Sequence, residues 1–318
     1  MLHFTKAAWL AVFLASPVVC SAQTTVPVKA PDTTLGAAGA AADTKPTSDW
    51  PRVTLNVLVE DKNEKPVTAE VTPDFQVREN TVPQTVQSVA GPSEPVSLGI
   101  LFDISGSMVK NRVLVRDAAS ALVKHLPPQS EVMVAVFAEK AEAVVPFAPV
   151  TAIDPALFGR WKYAHRTALI DAIIDTMPQF VRAARYPRRA LVVITDGGNN
   201  TSKHGDSAAT KSIEIPGAPY VYVLEIPDPY APTQQEREGA DYLWPNGVRT
   251  VIVTGESSHE VLAGANKITV CISSQYAITY TTAETVRGDR PRKIVVDWSE
   301  AGRGMKAKSL KEYRVPTP

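Results

Sequence analysis

The spacing of hydrophobic and polar residues changes several times along the chain. Between Arg52 and Val59, apolar residues alternate with Thr54 and Asn56, as expected for a β-strand with one buried face. Further short apolar groups continue as far as Val89. We expect residues 51–92 to form a small β module, which is too small to be stable alone and therefore packs on its neighbour.

A different pattern starts at Val96, where an almost continuous apolar run extends to Phe102. Such a run is typical of a strand that is buried on both faces of a sheet. Similar runs predict four more buried strands, at Val132–Phe137, Leu191–Thr195, Tyr220–Ile226 and Val248–Val253. A shorter run at Val144–Phe147 favours an edge strand.

Helical periodicity separates these strands. It predicts three helices: one that ends before Pro127, one over Ala168–Met177 and one over Ser258–Ala263. Buried strands that alternate with helices indicate the α/β class, here a doubly wound, mostly parallel Rossmann-like sheet over residues 93–265. Ligands of such sheets bind beyond the carboxyl ends of the strands.

The strand period returns after Asn266. We expect residues 266–298 to form a β hairpin that packs with the N-terminal β module. Residues 299–318 are polar and basic, and they predict a mobile tail.

The N-terminus has the features of an export signal. Lys6 precedes an apolar run from Ala7 to Val19, and small residues then predict cleavage before Gln23, so residues 1–22 form the signal peptide. Acylation of Cys20 in a lipoprotein is the alternative. Residues 23–50 are rich in Ala, Thr, Pro and Gly and predict a disordered linker. The expected location is periplasmic or extracellular.

Charge and cysteine content narrow the classes of function. Lys and Arg together number 33, as do Asp and Glu, so the chain has no global positive field for nucleic acid. No later segment is long and apolar enough to span a bilayer, so none is expected in the mature chain. After cleavage only Cys271 remains, and its apolar neighbours predict a buried, unreactive thiol.

Oxygen-bearing side chains gather where the predicted strands end. Asp103, Ser105 and Ser107 directly follow the first buried strand, Asp196 follows another, and Thr167 opens a helix. Alternate residues of an extended turn point the same way, so the first three should converge. This donor set suits a hard cation, Mg2+ or Mn2+.

Other interpretations of these residues are possible. Asp and Ser are ordinary helix caps, and Thr151 and Thr176 are weaker rivals of Thr167. The five His residues are scattered, and Ser107 does not stand in a Gly-x-Ser-x-Gly motif. We therefore expect no catalytic site and no enzyme activity.

The motifs around these residues resemble those of a known family. Asp-x-Ser-x-Ser after an apolar strand, a later Thr and Ile-Thr-Asp-Gly are similar to the von Willebrand factor type A domain and its metal-ion-dependent adhesion site, over about Glu94 to Ala265. Four segments resemble the exported VWFA-related acidobacterial domain group: Val57-Leu58-Val59-Glu60-Asp61, Asp74-Phe75-Gln76-Val77, Asp103-Ile104-Ser105-Gly106-Ser107-Met108 and Gln275-Tyr276-Ala277-Ile278-Thr279-Tyr280.

The resemblance implies a role for each residue. Ser105, Ser107 and Thr167 would give hydroxyl oxygens to the metal, while Asp103 and Asp196 would hold metal-bound waters or bind directly. A carboxylate from an Asp or Glu of a protein or peptide partner would complete the shell, as in adhesion modules. The sequence departs from the family pattern at His165-Arg166, where a Gly usually precedes the Thr. A structural or assembly role in the cell envelope, with an incidental metal, is the alternative function.

Overall fold

The computed structural model describes residues 50–67, 74–164, 166–226, 250–255, 257–298, 304–315 and 317. The predicted signal peptide and nearly all of the predicted linker lie outside these residues, as does His165. The strands are β1 (Arg52–Glu60), β2 (Phe75–Glu79), β3 (Val82–Gln84), β4 (Val86–Ala90), β5 (Val96–Asp103), β6 (Glu131–Phe137), β7 (Ala141–Pro149), β8 (Arg188–Thr195), β9 (Tyr220–Glu225), β10 (Thr250–Thr254), β11 (Gln275–Thr281), β12 (Gly288–Trp298), β13 (Lys306–Lys308) and β14 (Glu312–Val315). The α-helices are α1 (Arg112–Lys124), α2 (Leu169–Ala183), α3 (Asp206–Ile213) and α4 (Ser258–Ser273).

The central sheet has the strand order β10-β9-β8-β5-β6-β7. The first five of these strands are parallel, and β7 closes one edge in the antiparallel direction. All eight residues of β5 are buried, which explains its continuous apolar run. The prediction of a doubly wound, mostly parallel sheet with an edge strand near Val144 is confirmed.

Helices cover both faces of this sheet. Phe102 of β5 belongs to the same core as residues of α1 and α4, whereas Leu101 belongs to the core of α2 and α3. Gly99 allows α2 to approach closely, since a Cβ there would lie 2.8 Å from the Phe180 ring. None of the helices within the described ranges is long and apolar enough to cross a membrane.

Two helices extend beyond their predicted ends. Helix α2 continues through the solvent-facing Pro178, where water can bind the carbonyl that lacks its usual N–H partner. Helix α4 continues to Ser273 through β-branched residues that predict a strand. Its buried residues Val261, Ala265, Ile268 and Ile272 recur at helical spacing, and that burial outweighs the local β propensity.

The remaining strands form two four-stranded sheets, β13-β1-β11-β4 and β14-β12-β2-β3, which share one apolar core. The N-terminal β module therefore does pack with the C-terminal strands. The predicted hairpin over 266–298 is wrong, because β11 and β12 lie in different sheets. The predicted mobile tail is also wrong over β13 and β14, because Leu310 and Tyr313 are buried in this core.

Glu79 is the centre of a buried polar network in this β sandwich. Its carboxylate accepts hydrogen bonds from Tyr280 Oη, Tyr313 Oη and Thr282 Oγ1, each at 2.9 Å, and from Arg292 Nη1 at 3.1 Å. These donors belong to β11, β14 and β12 and to the residue just after β11, so one carboxylate links both sheets and holds the C-terminal strand.

This network predicts a large loss of stability in Glu79→Gln. The substitution removes the buried carboxylate that pairs with the Arg292 guanidinium and leaves only Glu284, which is 3.9 Å away and 48% exposed. Breaking a buried ion pair costs about 3–5 kcal/mol in other proteins. The measurement is the free energy of unfolding in urea.

Asp297→Asn is the matched control, because Asp297 lies on the paired strand and forms an exposed ion pair with Arg78. Its expected cost is below about 1 kcal/mol. Equal losses in the two variants would contradict the role given to Glu79.

Candidate metal centre

The candidate site lies at the carboxyl ends of two neighbouring parallel strands. Asp103 is the last residue of β5, and Asp196 directly follows β8. The strands pair in register, with Phe102 opposite Ile194, so their ends meet at one edge of the sheet. The two carboxylates that the sequence predicts are therefore brought together by backbone geometry alone.

Asp103 is held on both carboxylate oxygens. Its Oδ1 accepts a hydrogen bond from the Ser105 amide at 2.8 Å, and its Oδ2 accepts one from Thr195 Oγ1 at 2.7 Å. The side chain is 1% exposed. Sequence reasoning missed Thr195 as a residue of the site. Thr195 directly follows Ile194, the partner of Phe102, so the strand register places it beside Asp103.

The two serines present adjacent hydroxyl groups. Ser105 Oγ and Ser107 Oγ are 3.1 Å apart, and either can donate to the other. Ser105 is buried, whereas Ser107 is half-buried and lies at the start of a 3-10 helix over Gly106–Asn111. The pair therefore offers two neutral oxygen ligands beside the Asp103 carboxylate.

Thr167 and Asp196 meet at Gly198. A Cβ on Gly198 would lie 3.1 Å from Asp196 Oδ1 and 3.9 Å from Thr167 Oγ1, so glycine leaves room between them. The Gly198 amide also donates to Asp196 Oδ1 at 3.0 Å. Thr167 is 3% exposed and stands two residues before the first residue of α2.

The loop after Asp196 is tied to Thr167. The Thr167 amide donates to Asn200 Oδ1 at 3.0 Å, and the Thr167 carbonyl accepts from the amides of Asn200 and Thr201. The two rivals of Thr167 lack such a link: Thr176 lies inside α2, and Thr151 lies in a 3-10 helix over Val150–Ala152. The geometry favours Thr167.

The electrostatics of the site favour a cation. Burial, and to a smaller extent repulsion from the Asp196 carboxylate, raise the pKa of Asp103 to about 7. A divalent ion would remove that repulsion. Within the described ranges no three His, Cys, Asp or Glu side chains form a group that could hold a metal ion. The oxygen donors of the candidate site are instead two carboxylates and three hydroxyls. Such a set fits Mg2+ or Mn2+.

Comparisons with known proteins identify similar folds at low identity. The chain is similar to a von Willebrand factor type A protein from Catenulispora acidiphila (TM-score 0.46, 13% identity, 85% of this chain and 75% of that one). It is also similar to a mutant of the PilB minor pilin from Streptococcus sanguinis (TM-score 0.47, 12% identity, 57% and 62%). A third is proximal thread matrix protein 1 from the mussel byssus, with a zinc-occupied MIDAS motif (TM-score 0.47, 13% identity, 60% and 48%).

The chain thus spans less than two thirds of the pilin and about half of the byssus protein. No family model matches its sequence, and no curated protein matches it. One of the similar structures is named as a von Willebrand factor type A protein. The identity of the metal and the roles of the five residues stay predictions.

The raised pKa of Asp103 predicts a pH dependence of stability in metal-free protein. Between the ordinary carboxyl pKa of about 4 and the folded value of about 7, the unfolded chain has lost a proton that the folded chain keeps. The free energy of unfolding should therefore fall as pH rises across this window, by about 1.4 kcal/mol for each pH unit between the two pKa values.

Urea unfolding in EDTA at a series of pH values measures this slope. Asp103→Asn should remove most of the decline, whereas Asp297→Asn should leave it unchanged. The same slope in Asp103→Asn and in the parent protein would contradict the assignment.

Proposed function

We propose that this protein is an exported, metal-dependent binding module of the adhesion type. In this proposal Asp103, Ser105, Ser107, Thr167 and Asp196 hold Mg2+ or Mn2+, and the metal binds an Asp or Glu carboxylate of a protein or peptide partner. One observation carries the proposal: two buried carboxylates and three hydroxyls converge at the carboxyl edge of the sheet.

The roles of the residues follow from their charges and contacts. The three hydroxyls are neutral ligands, and the two carboxylates are already engaged by the Ser105 amide, the Thr195 hydroxyl and the Gly198 amide. A metal held in this way would keep enough positive charge to attract one more carboxylate. The β8 residue Thr195 acts through Asp103, whose orientation it fixes.

Catalysis is not part of the proposal. The Ser107 hydroxyl contacts the Ser105 hydroxyl at 3.1 Å, and a second hydroxyl does not act as a general base as an imidazole would. A structural role in the cell envelope, in which the metal is incidental, is the alternative that the experiments below separate from metal-dependent binding. The N-terminal sequence of residues 1–22 supports export.

Metal binding is the first test. Titration calorimetry of the purified protein with Mg2+ or Mn2+ is expected to give one site per chain. Asp103→Ala should abolish it, because the variant loses the carboxylate that links β5 to β8. Asp289→Ala is the control, since Asp289 is an exposed residue of β12 in the β sandwich.

Partner binding is the second half of the same test. A pull-down from envelope extract in Mg2+ should retain proteins that are lost in EDTA and lost with Asp103→Ala. Association that persists in both would favour the structural role. Absence of divalent-metal binding in calorimetry would contradict the proposed function itself.

A further inference from the structure

A basic and aromatic segment, residues 160–164 together with Arg166, borders the candidate metal centre. The Ala164 amide donates to the Ile104 carbonyl at 2.8 Å, and Ala164 pairs with Ser105 in an isolated parallel bridge. Since Ser105 is one of the proposed ligands, this pairing fixes the segment directly beside the site. We refer to Arg160, Lys162 and Arg166 as the basic rim.

Residues 160–163 of this segment alternate between exposed and half-buried positions. Trp161 and Tyr163 are half-buried, and the Trp161 ring lies 6.2 Å from the ring of Phe102 in the core. The rim residues Arg160, Lys162 and Arg166 are exposed. Packing of the aromatic rings therefore holds the segment in place while the cations point to solvent.

The positive charge of the basic rim is only weakly neutralised by acidic residues of the same chain. Arg166 has Glu139 as its acidic neighbour, with 3.9 Å between Nε and Oε1, and both side chains are about two-thirds exposed (66% and 63%). An exposed pair at this distance is weak and exchanges readily for another carboxylate. Arg112, at the start of α1, adds another exposed cation within electrostatic range of Tyr163.

Apolar side chains are also exposed in the segment that follows Ser107. Val109 and Val113, which follow Ser107 by two and six residues, are 43% and 56% exposed. The surface thus combines cations, exposed valines and the candidate metal centre. A peptide can use all three features, whereas a nucleic-acid backbone or a polyuronate offers anions without apolar side chains.

We propose that the ligand of this site is an acidic peptide segment of a partner protein. One carboxylate binds the metal, which rests on the proposed function, and flanking carboxylates bind the basic rim. Alternate residues of an extended peptide project on one side about 6.6 Å apart. Acidic residues on one side of such a peptide would face the exposed cations of the basic rim, such as Arg160 and Lys162.

Two synthetic peptides test this proposal. Each carries one central Asp between apolar residues, flanked by Glu in one peptide and by Gln in the other. In Mg2+ at low salt, the Glu-flanked peptide should bind about tenfold more tightly, as expected for two or three exposed ion pairs. The difference should shrink as salt screens these pairs.

A triple variant isolates the rim. Arg160→Gln, Lys162→Gln and Arg166→Gln together should leave Mg2+ binding and the affinity for the Gln-flanked peptide unchanged, but remove the preference for Glu. A matched control removes three other exposed cations, Lys124→Gln, Arg182→Gln and Lys211→Gln, which lie in the last turns of their helices. A helix that connects two parallel strands runs in the opposite direction to them. Its last turn therefore lies near the amino ends of the strands, whereas the candidate metal centre lies at their carboxyl ends.

The outcomes distinguish this inference from the proposed function. Equal Mg2+-dependent binding of both peptides by the parent protein would contradict the role of the basic rim. It would still be consistent with metal-dependent binding. A Glu preference that persists in EDTA would support the rim and contradict the role of the metal. Tighter binding of oligogalacturonate or single-stranded DNA than of the Glu-flanked peptide, or no binding of either peptide, would overturn the acidic-peptide ligand.

Discussion

The buried guanidinium of Arg188 joins the central sheet to the β sandwich. Arg188 lies at the start of β8 and is 1% exposed, and it donates to the carbonyl oxygens of Pro92, Glu94, Ile272 and Gln275. Burial lowers its pKa to about 10, which still leaves it charged at neutral pH. Since these carbonyls belong to the β4–β5 connection, the end of α4 and the start of β11, one cation holds three segments against β8.

A second set of polar contacts, one residue further along β8, also joins the central sheet to the β sandwich. Asn56 of β1 accepts hydrogen bonds from the Arg189 amide at 2.9 Å and from Gln275 Nε2 at 2.7 Å, and it donates to the Ala218 carbonyl. The β sandwich is thus attached at the amino ends of β8 and β9. The candidate metal centre lies at the opposite ends of β5 and β8, away from this attachment.

The sequence predicts the parts of the fold that depend on burial and period. Strand β5 and its parallel neighbours were predictable because continuous apolar runs are rare outside doubly covered sheets. The end of α4 was not, because residues such as Ile268 and Val270 favour strands locally and only packing on the core selects the helix. The strands β13 and β14 were missed since their burial depends on Leu310 and Tyr313 meeting partners far away in sequence.

The candidate site likewise contains residues that the sequence predicts and residues that only the structure reveals. Asp103 and Asp196 could be placed from the sequence, because neighbouring parallel strands end together. The carboxyl groups would repel each other there, and the protein tolerates this since the contacts that stabilise it, around Arg188 and Glu79, lie in other regions. Thr195 and Gly198 became visible only in three dimensions, where one orients Asp103 and the other leaves space between Asp196 and Thr167. A pair of carboxylates that is held in place yet electrostatically unsatisfied is what a cation can bind. In the proposed function, the basic segment beside this pair would extend the attraction for a partner from one carboxylate to several.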